Sequence, residues 1–155
     1  MELRVVEGDL LDQNVEIIVN AWNRNLIPWW LLIPQGVSRA IRRRGGNEPF
    51  REVGRRGVIP LGGAVETQAG TLPFKAIIHV AGINLLWRAS EWSVRESVRN
   101  AMGLAKQRGY RSIAFPLIGA GSGGRKAEQA LDWMRQELQS IDFGGVVVLV
   151  RHKLA

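Results

Sequence analysis

From residue 76 onward the chain alternates short apolar runs with longer amphipathic ones, and this order restricts the fold more than any other feature. Ala76–Ala81 reads as a strand, and Val94, Val98, Ala101, Met102 and Ala105 mark the apolar face of a helix. A strand at Ser112–Ile118, a helix at Lys126–Gln139 and a strand at Val146–Val150 follow. A helix-length crossover brings the next strand back parallel to the last, whereas a hairpin needs only a few residues. Strands separated by helices therefore predict a parallel sheet covered on its faces. The expected class is α/β, a three-layer α/β/α sandwich around a mixed, largely parallel central sheet.

The first half adds strands at Leu3–Glu7, Glu16–Ala21 and about Ala64–Ala69, with Asp12-Gln13-Asn14 turning between the first two. Gly36–Arg44 reads as a short helix stopped by Gly45-Gly46. Asn47–Gly54 reads as a second, with Asn47 as its cap and Pro49 in its first turn. Ser93 and Glu96 have capping-box spacing, and Gly109 is placed to stop the long helix. No repeat or linker interrupts the 155 residues, so one domain over residues 1–155 is expected.

Composition removes several classes of function. There is no cysteine, which excludes disulfide scaffolds, thiolate metal sites and cysteine nucleophiles. No His, Asp and Glu residues have metal-ligand spacing, so no metal and no resident cofactor are expected. The longest aliphatic run, Val146–Val150, is far short of the ~20 residues of a membrane span. Met1 leads straight into Glu2-Leu3-Arg4-Val5-Val6 without the basic and apolar regions of a signal peptide, so a cytoplasmic protein with no membrane partner is expected. The net charge of +7 is concentrated: residues 35–57 hold seven arginines against Glu48 and Glu52, a local +5. Such a patch favours anionic partners, nucleic acid included, or is a solvated helical face.

Three segments carry chemistry. Gly119-Ala120-Gly121-Ser122-Gly123-Gly124 joins an apolar strand to an amphipathic helix. Its glycines let several backbone N–H groups converge beside a helix N-terminus, an arrangement suited to phosphate, although a flexible connector has the same composition. It is not a P-loop, because Arg125-Lys126 replaces the terminal Gly-Lys-Ser/Thr. A dinucleotide fingerprint fits poorly too, since the loop follows a late strand and not the first. Gly8-Asp9-Leu10-Leu11 places a carboxylate at the end of the first strand, either for a ligand or as a turn cap. Asn20 and Asn23 sit at the end of the second, where α/β ligands bind and where asparagines also satisfy loop backbone.

Together, Gly-Asp-Leu after the first strand, Ile-Val-Asn-Ala-x-Asn on the second and Gly-Val-Ser-Arg-Ala-Ile on the first helix resemble the macrodomain family. The late Gly-rich loop and Ala76-Ile77-Ile78-His79-Val80-Ala81-Gly82 extend that resemblance over essentially the whole chain. It implies a three-layer module that binds ADP-ribose or a related nucleotide at the strand ends, free or attached to protein. Under it, Asp9 takes the adenine amine with Leu10 beside it, Asn23 contacts the distal ribose, and Asn20 supports the strand end. Val37 and Ser38 lie on the first phosphate-side loop. Gly119, Ala120, Gly121, Ser122 and Gly123 wrap the diphosphate, and Arg151, after the last strand, stacks on adenine.

Some macrodomains hydrolyse ADP-ribosyl esters, ADP-ribose-1″-phosphate or O-acetyl-ADP-ribose, usually with Gly-Val-Asp-Gly-Ala-Ile after a Gly-rich stretch. Here Ser38 stands where the water-activating Asp is expected, and a hydroxyl is too weak a base at neutral pH. The preceding loop is long and apolar, with Trp29-Trp30 as a cover over the nucleotide or as packing. Binding of ADP-ribose is therefore the leading expectation. Substrate-assisted hydrolysis, with Asn23 as its catalytic residue, is the alternative. Nucleic-acid binding through Arg39–Arg56 ranks below both, because Phe50 is the only aromatic residue in that patch.

Overall fold

A computed structural model describes residues 1–22, 36–82, 89–120 and 125–152. Six strands form one sheet: β1 (Glu2–Gly8), β2 (Ile17–Trp22), β3 (Ala64–Thr67), β4 (Ala76–Ala81), β5 (Ser112–Pro116) and β6 (Val146–His152). Their order across the sheet is β1-β6-β5-β2-β4-β3. Every neighbouring pair is parallel except β3 against β4. The sheet is mixed and largely parallel, as the alternation of elements predicts. Strand β4 is buried along its whole length, as expected of a strand covered on both faces.

Helices α1 (Gly36–Gly45) and α2 (Glu48–Arg55) cover one face; α3 (Glu91–Arg108) and α4 (Arg125–Gln139) cover the other. Side chains alternate across each strand, so the two cores divide by parity. Ile17, Val19, Ile78, Val80, Phe115 and Leu149 face α3 and α4, meeting Val94, Val98, Met102, Leu131 and Met134. Ile18, Trp22, Ile77, Ala81, Ala114 and Val148 face α1 and α2, meeting Ile41, Phe50 and Val53. No helix of the described residues is long and apolar enough to cross a membrane.

Several local expectations change. The cap of α3 is Ser90, not Ser93: its hydroxyl accepts from Ser93 N–H at 3.0 Å, while Ser93 Oγ accepts from Ser90 N–H at 2.9 Å. The helix begins a turn early because Ser93 itself fills the reciprocal role usually given to a Glu, and its hydroxyl reaches the Gly82 carbonyl at 2.8 Å. Asn47 makes no capping bond; its backbone is already helical, and its Oδ1 accepts from Arg42 Nε at 3.0 Å. Strands β3 and β5 end two residues early, at Thr67 and Pro116. Strand β6 runs two residues further, so Arg151 and His152 lie within it, paired with Glu7 and Gly8 of β1.

Candidate functional site

The five parallel strands present their C-terminal ends along one edge of the sheet, and that edge opens between two of them. Pairing of β2 with β5 covers only Ile17↔Ile113 and Ile18↔Ala114. Beyond it, β2 continues with β4 as far as Trp22↔Ala81, and β5 continues with β6 as far as Pro116↔Val150. The chain also leaves these two strands toward opposite faces, from β2 to α1 and from β5 to α4. Adjacent strands whose connections diverge make the crevice in which open α/β sheets bind ligands.

One side of the crevice carries a buried polar chain between the sheet and the α1–α2 layer. Asn20 pairs in register with His79 on β4, and both side chains are fully buried. Thr67 Oγ1 donates to the Gln68 carbonyl at 3.0 Å and lies 2.8 Å from His79 Nε2. A hydroxyl has a single proton, so Thr67 must accept from His79, and Nε2 carries the hydrogen. The bare Nδ1 then accepts from Asn20 Nδ2 at 3.1 Å. Asn20 Oδ1 is left to accept from the Ser38 hydroxyl at 2.8 Å. Each buried polar atom in this sequence of bonds has a partner, and the direction of each bond follows from the one before it.

Phe50 packs edge-on against the His79 ring, 6.1 Å between centroids, and stacks obliquely on Trp22 at 5.0 Å. Enclosure without a counter-charge pushes the His79 pKa down to about 3, so the ring is neutral at physiological pH. The sequence identifies His79 only as an enclosed strand histidine; its link to Ser38 depends on a strand register that no local pattern encodes.

On the other side, Gly119 has φ +77°, and a Cβ there would lie 2.3 Å from Ala89 Cβ, so conformation and space both require glycine. Ala120 differs from its expected role: its N–H turns back to the Leu117 carbonyl at 3.3 Å, and its methyl packs with Ala127 and Ala130 of α4. Gly82 closes the end of β4, where a Cβ would meet Ile118 Cγ2 at 2.4 Å.

At the β1 end, Asp9 caps the short 3-10 turn Leu10–Asp12, its Oδ1 accepting from Leu11 N–H at 2.9 Å. Oδ2 is 3.9 Å from Arg44 Nη1, and the side chain is 45% exposed, so one carboxylate oxygen stays accessible. Arg44 also reaches Asp12 at 3.5 Å, a link the sequence did not signal. Leu10 is buried in the core, and Val37 is half-buried and packs against that core. Arg151 is drawn toward α4, 2.5 Å from Glu128 Oε1. Asn23, Trp29, Trp30, Gly121, Ser122 and Gly123 lie outside the described residues.

The Arg-rich segment is partly neutralised within the fold: Arg51 pairs with Glu48, and Arg56 with Glu52. Phe50 is only 1% exposed, which removes the one aromatic of that patch as a base-stacking surface.

Known proteins share this fold. The Macro domain family model matches residues 19–134. A protein of Aquifex aeolicus is 34% identical over 143 residues, covering 92% of this chain and 84% of its own length. An O-acetyl-ADP-ribose deacetylase of Escherichia fergusonii is 38% identical over 127 residues, covering 77% of this chain and 68% of that protein. Among solved structures, a mutant Oceanobacillus iheyensis macrodomain with ADPR aligns at a TM-score of 0.80 and 28% identity, over 96% of this chain and 84% of that one. A Trypanosoma brucei macrodomain in complex with ADP-ribose aligns at 0.76 and 25% identity, over 97% and 63% of the two chains. With three quarters of its length matched by the family model, and with the sheet order and strand-end crevice described above, the chain belongs to the Macro domain family.

Proposed function

We propose that this protein binds ADP-ribose or an ADP-ribose derivative in the crevice between β2 and β5. The observation that carries the reading is the splaying of those strands after Ile18 and Ala114, with Ser38 on one side and the Gly119 turn on the other. Asp9 offers a carboxylate oxygen at the far end, where an exocyclic amine is a suitable partner. Similar macrodomains solved with ADPR and with ADP-ribose support the same ligand class. ADP-ribose attached to protein would present the same moiety.

Calorimetric titration with ADP-ribose is the test. Saturable binding is expected, and no binding at millimolar ligand refutes the proposal.

A second reading, hydrolysis of an ADP-ribosyl ester, is supported by the E. fergusonii deacetylase. Against it stands residue 38: its hydroxyl proton is bonded to Asn20, and a serine cannot serve as a neutral-pH base. Catalysis would then have to use a substrate phosphate oxygen as the base, with Asn23 orienting the water. Product release from O-acetyl-ADP-ribose above the uncatalysed rate would establish that reading, and its absence would eliminate it.

A further inference from the structure

We propose that the solvent face of α1, continued by Arg55 on α2, binds the phosphate backbone of duplex nucleic acid without reading its bases. This face is the outer surface of the α1–α2 layer, and its role does not rest on the ADP-ribose reading of the crevice.

Helix α1 holds four arginines in ten residues and no acid. Its inner side is Ile41, fully buried, with Val37 and Ala40 packed on the same core. Arg39 and Arg43, four residues apart, leave the opposite side about 6 Å from each other along the axis. Three of the seven arginines between residues 39 and 56 face carboxylates: Arg44 meets Asp9 and Asp12, Arg51 meets Glu48, and Arg56 meets Glu52. Arg42 bonds to the neutral Asn47. Among the described residues no carboxylate pairs with Arg39, Arg43 or Arg55, and all three are exposed.

Helix stability accounts for only part of this charge. Cations in a last turn offset the negative end of the helix dipole, and Arg42, Arg43 and Arg44 stand there. Arg39 stands near the other end, where the dipole favours an anion and no acid is present. The fold by itself gives no reason for a cation at that position.

The chemistry of the face selects the partner. Protein and membrane partners are held by apolar anchors among the charges. Here Ile41, Phe50 and Val53 are all buried, and among the described residues of α1 and α2 no apolar side chain is exposed. A nucleic-acid backbone needs only positive charge, and contacts to it carry no sequence information. With Phe50 buried there is no ring for an unstacked base, so a duplex fits this face better than a single strand.

Fluorescence anisotropy of a labelled DNA duplex over a salt series is the test. Each neutralised phosphate contributes about −0.9 to the slope of log K against log salt, so three contacts predict a wild-type slope of about −3. Arg39→Gln/Arg43→Gln should bring that slope to about −1. Both side chains are exposed and glutamine is nearly as good a helix former, so the variant should fold. The control is Lys106→Gln/Arg135→Gln, which removes the same charge from exposed positions on α3 and α4 and should leave the slope unchanged. Two duplexes of unrelated sequence should bind alike. No binding at low salt, an equal loss of slope in the two double variants, or a marked preference for one duplex sequence overturns the proposal. Tighter binding of polyglutamate or of anionic lipid vesicles than of the duplex, at the same salt, would also overturn it, in favour of a protein or a membrane partner.

Discussion

Protonating His79 is the perturbation whose size follows most directly from the structure. The ring is fully buried between the sheet and α2, its two nitrogens are bonded to neutral groups, and no carboxylate is among its hydrogen-bond partners. Its pKa falls from the ordinary 6.5 to about 3 because burial opposes the charge. The unfolded chain therefore binds the proton more readily than the folded one. Stability from this source is fully present above pH 6.5 and is lost progressively as the pH falls toward 3.

At about 1.4 kcal/mol per pH unit, the loss between pH 7 and pH 5 is about 2 kcal/mol. Most carboxylates remain ionised across that window, so their contribution is small. Urea unfolding at pH 7, 6 and 5 measures the effect as a change in midpoint at constant slope. His79→Gln is the control, since an amide can occupy both hydrogen-bond positions without titrating. His152 is present in both proteins and cancels in the comparison. The wild type is expected to lose about 2 kcal/mol while the variant changes by less than about 0.5 kcal/mol. Equal losses in the two proteins would refute the assignment of this pH dependence to His79.

Three further outcomes follow from the same geometry. Gly119→Ala forces a Cβ against Ala89 at a positive φ and should cost about 1–3 kcal/mol in unfolding experiments, with weakened ADP-ribose binding in titration. Gly82→Ala should cost about as much through its clash with Ile118. Combined with Ile118→Ala, it should destabilise by less than the sum of the single variants; simple additivity would show that the contact does not matter. Asp9→Asn keeps an oxygen for the Leu11 amide, so the melting temperature should hold while ADP-ribose affinity drops. A stability loss without a binding loss would make Asp9 a turn cap alone.

Much of the architecture is legible from local pattern. The apolar runs, the Gly45-Gly46 stop and the alternation after residue 76 specify the layers, because side-chain periodicity reports which face of an element is buried. The need for glycine at position 119, just after β5, is legible for a local reason too, since glycine marks backbone that other residues rarely adopt. The cap of α3 is not legible locally: Ser93 and Glu96 match the capping-box pattern better than Ser90 and Ser93 do, yet Ser93 is drawn into the first turn, where its hydroxyl reaches the Gly82 carbonyl across the fold. The last strand is longer than local pattern shows, because nothing in Arg151-His152 announces pairing with β1.

By itself, then, the sequence determined which segments are strands and helices, that the sheet is largely parallel, and that residue 38 lacks an acid. Only the tertiary structure decided that β2 and β5 are neighbours that part after Ile18 and Ala114, and so where the crevice opens. It also decided that Ser38, Asn20, His79 and Thr67 form one directed series of hydrogen bonds. Asn20 and His79 are 59 residues apart, and their meeting depends on strand register, a property of two segments together that neither encodes alone. The direction of the bonds depends in turn on a single backbone carbonyl at Gln68, which accepts the Thr67 proton and leaves each later group one remaining role.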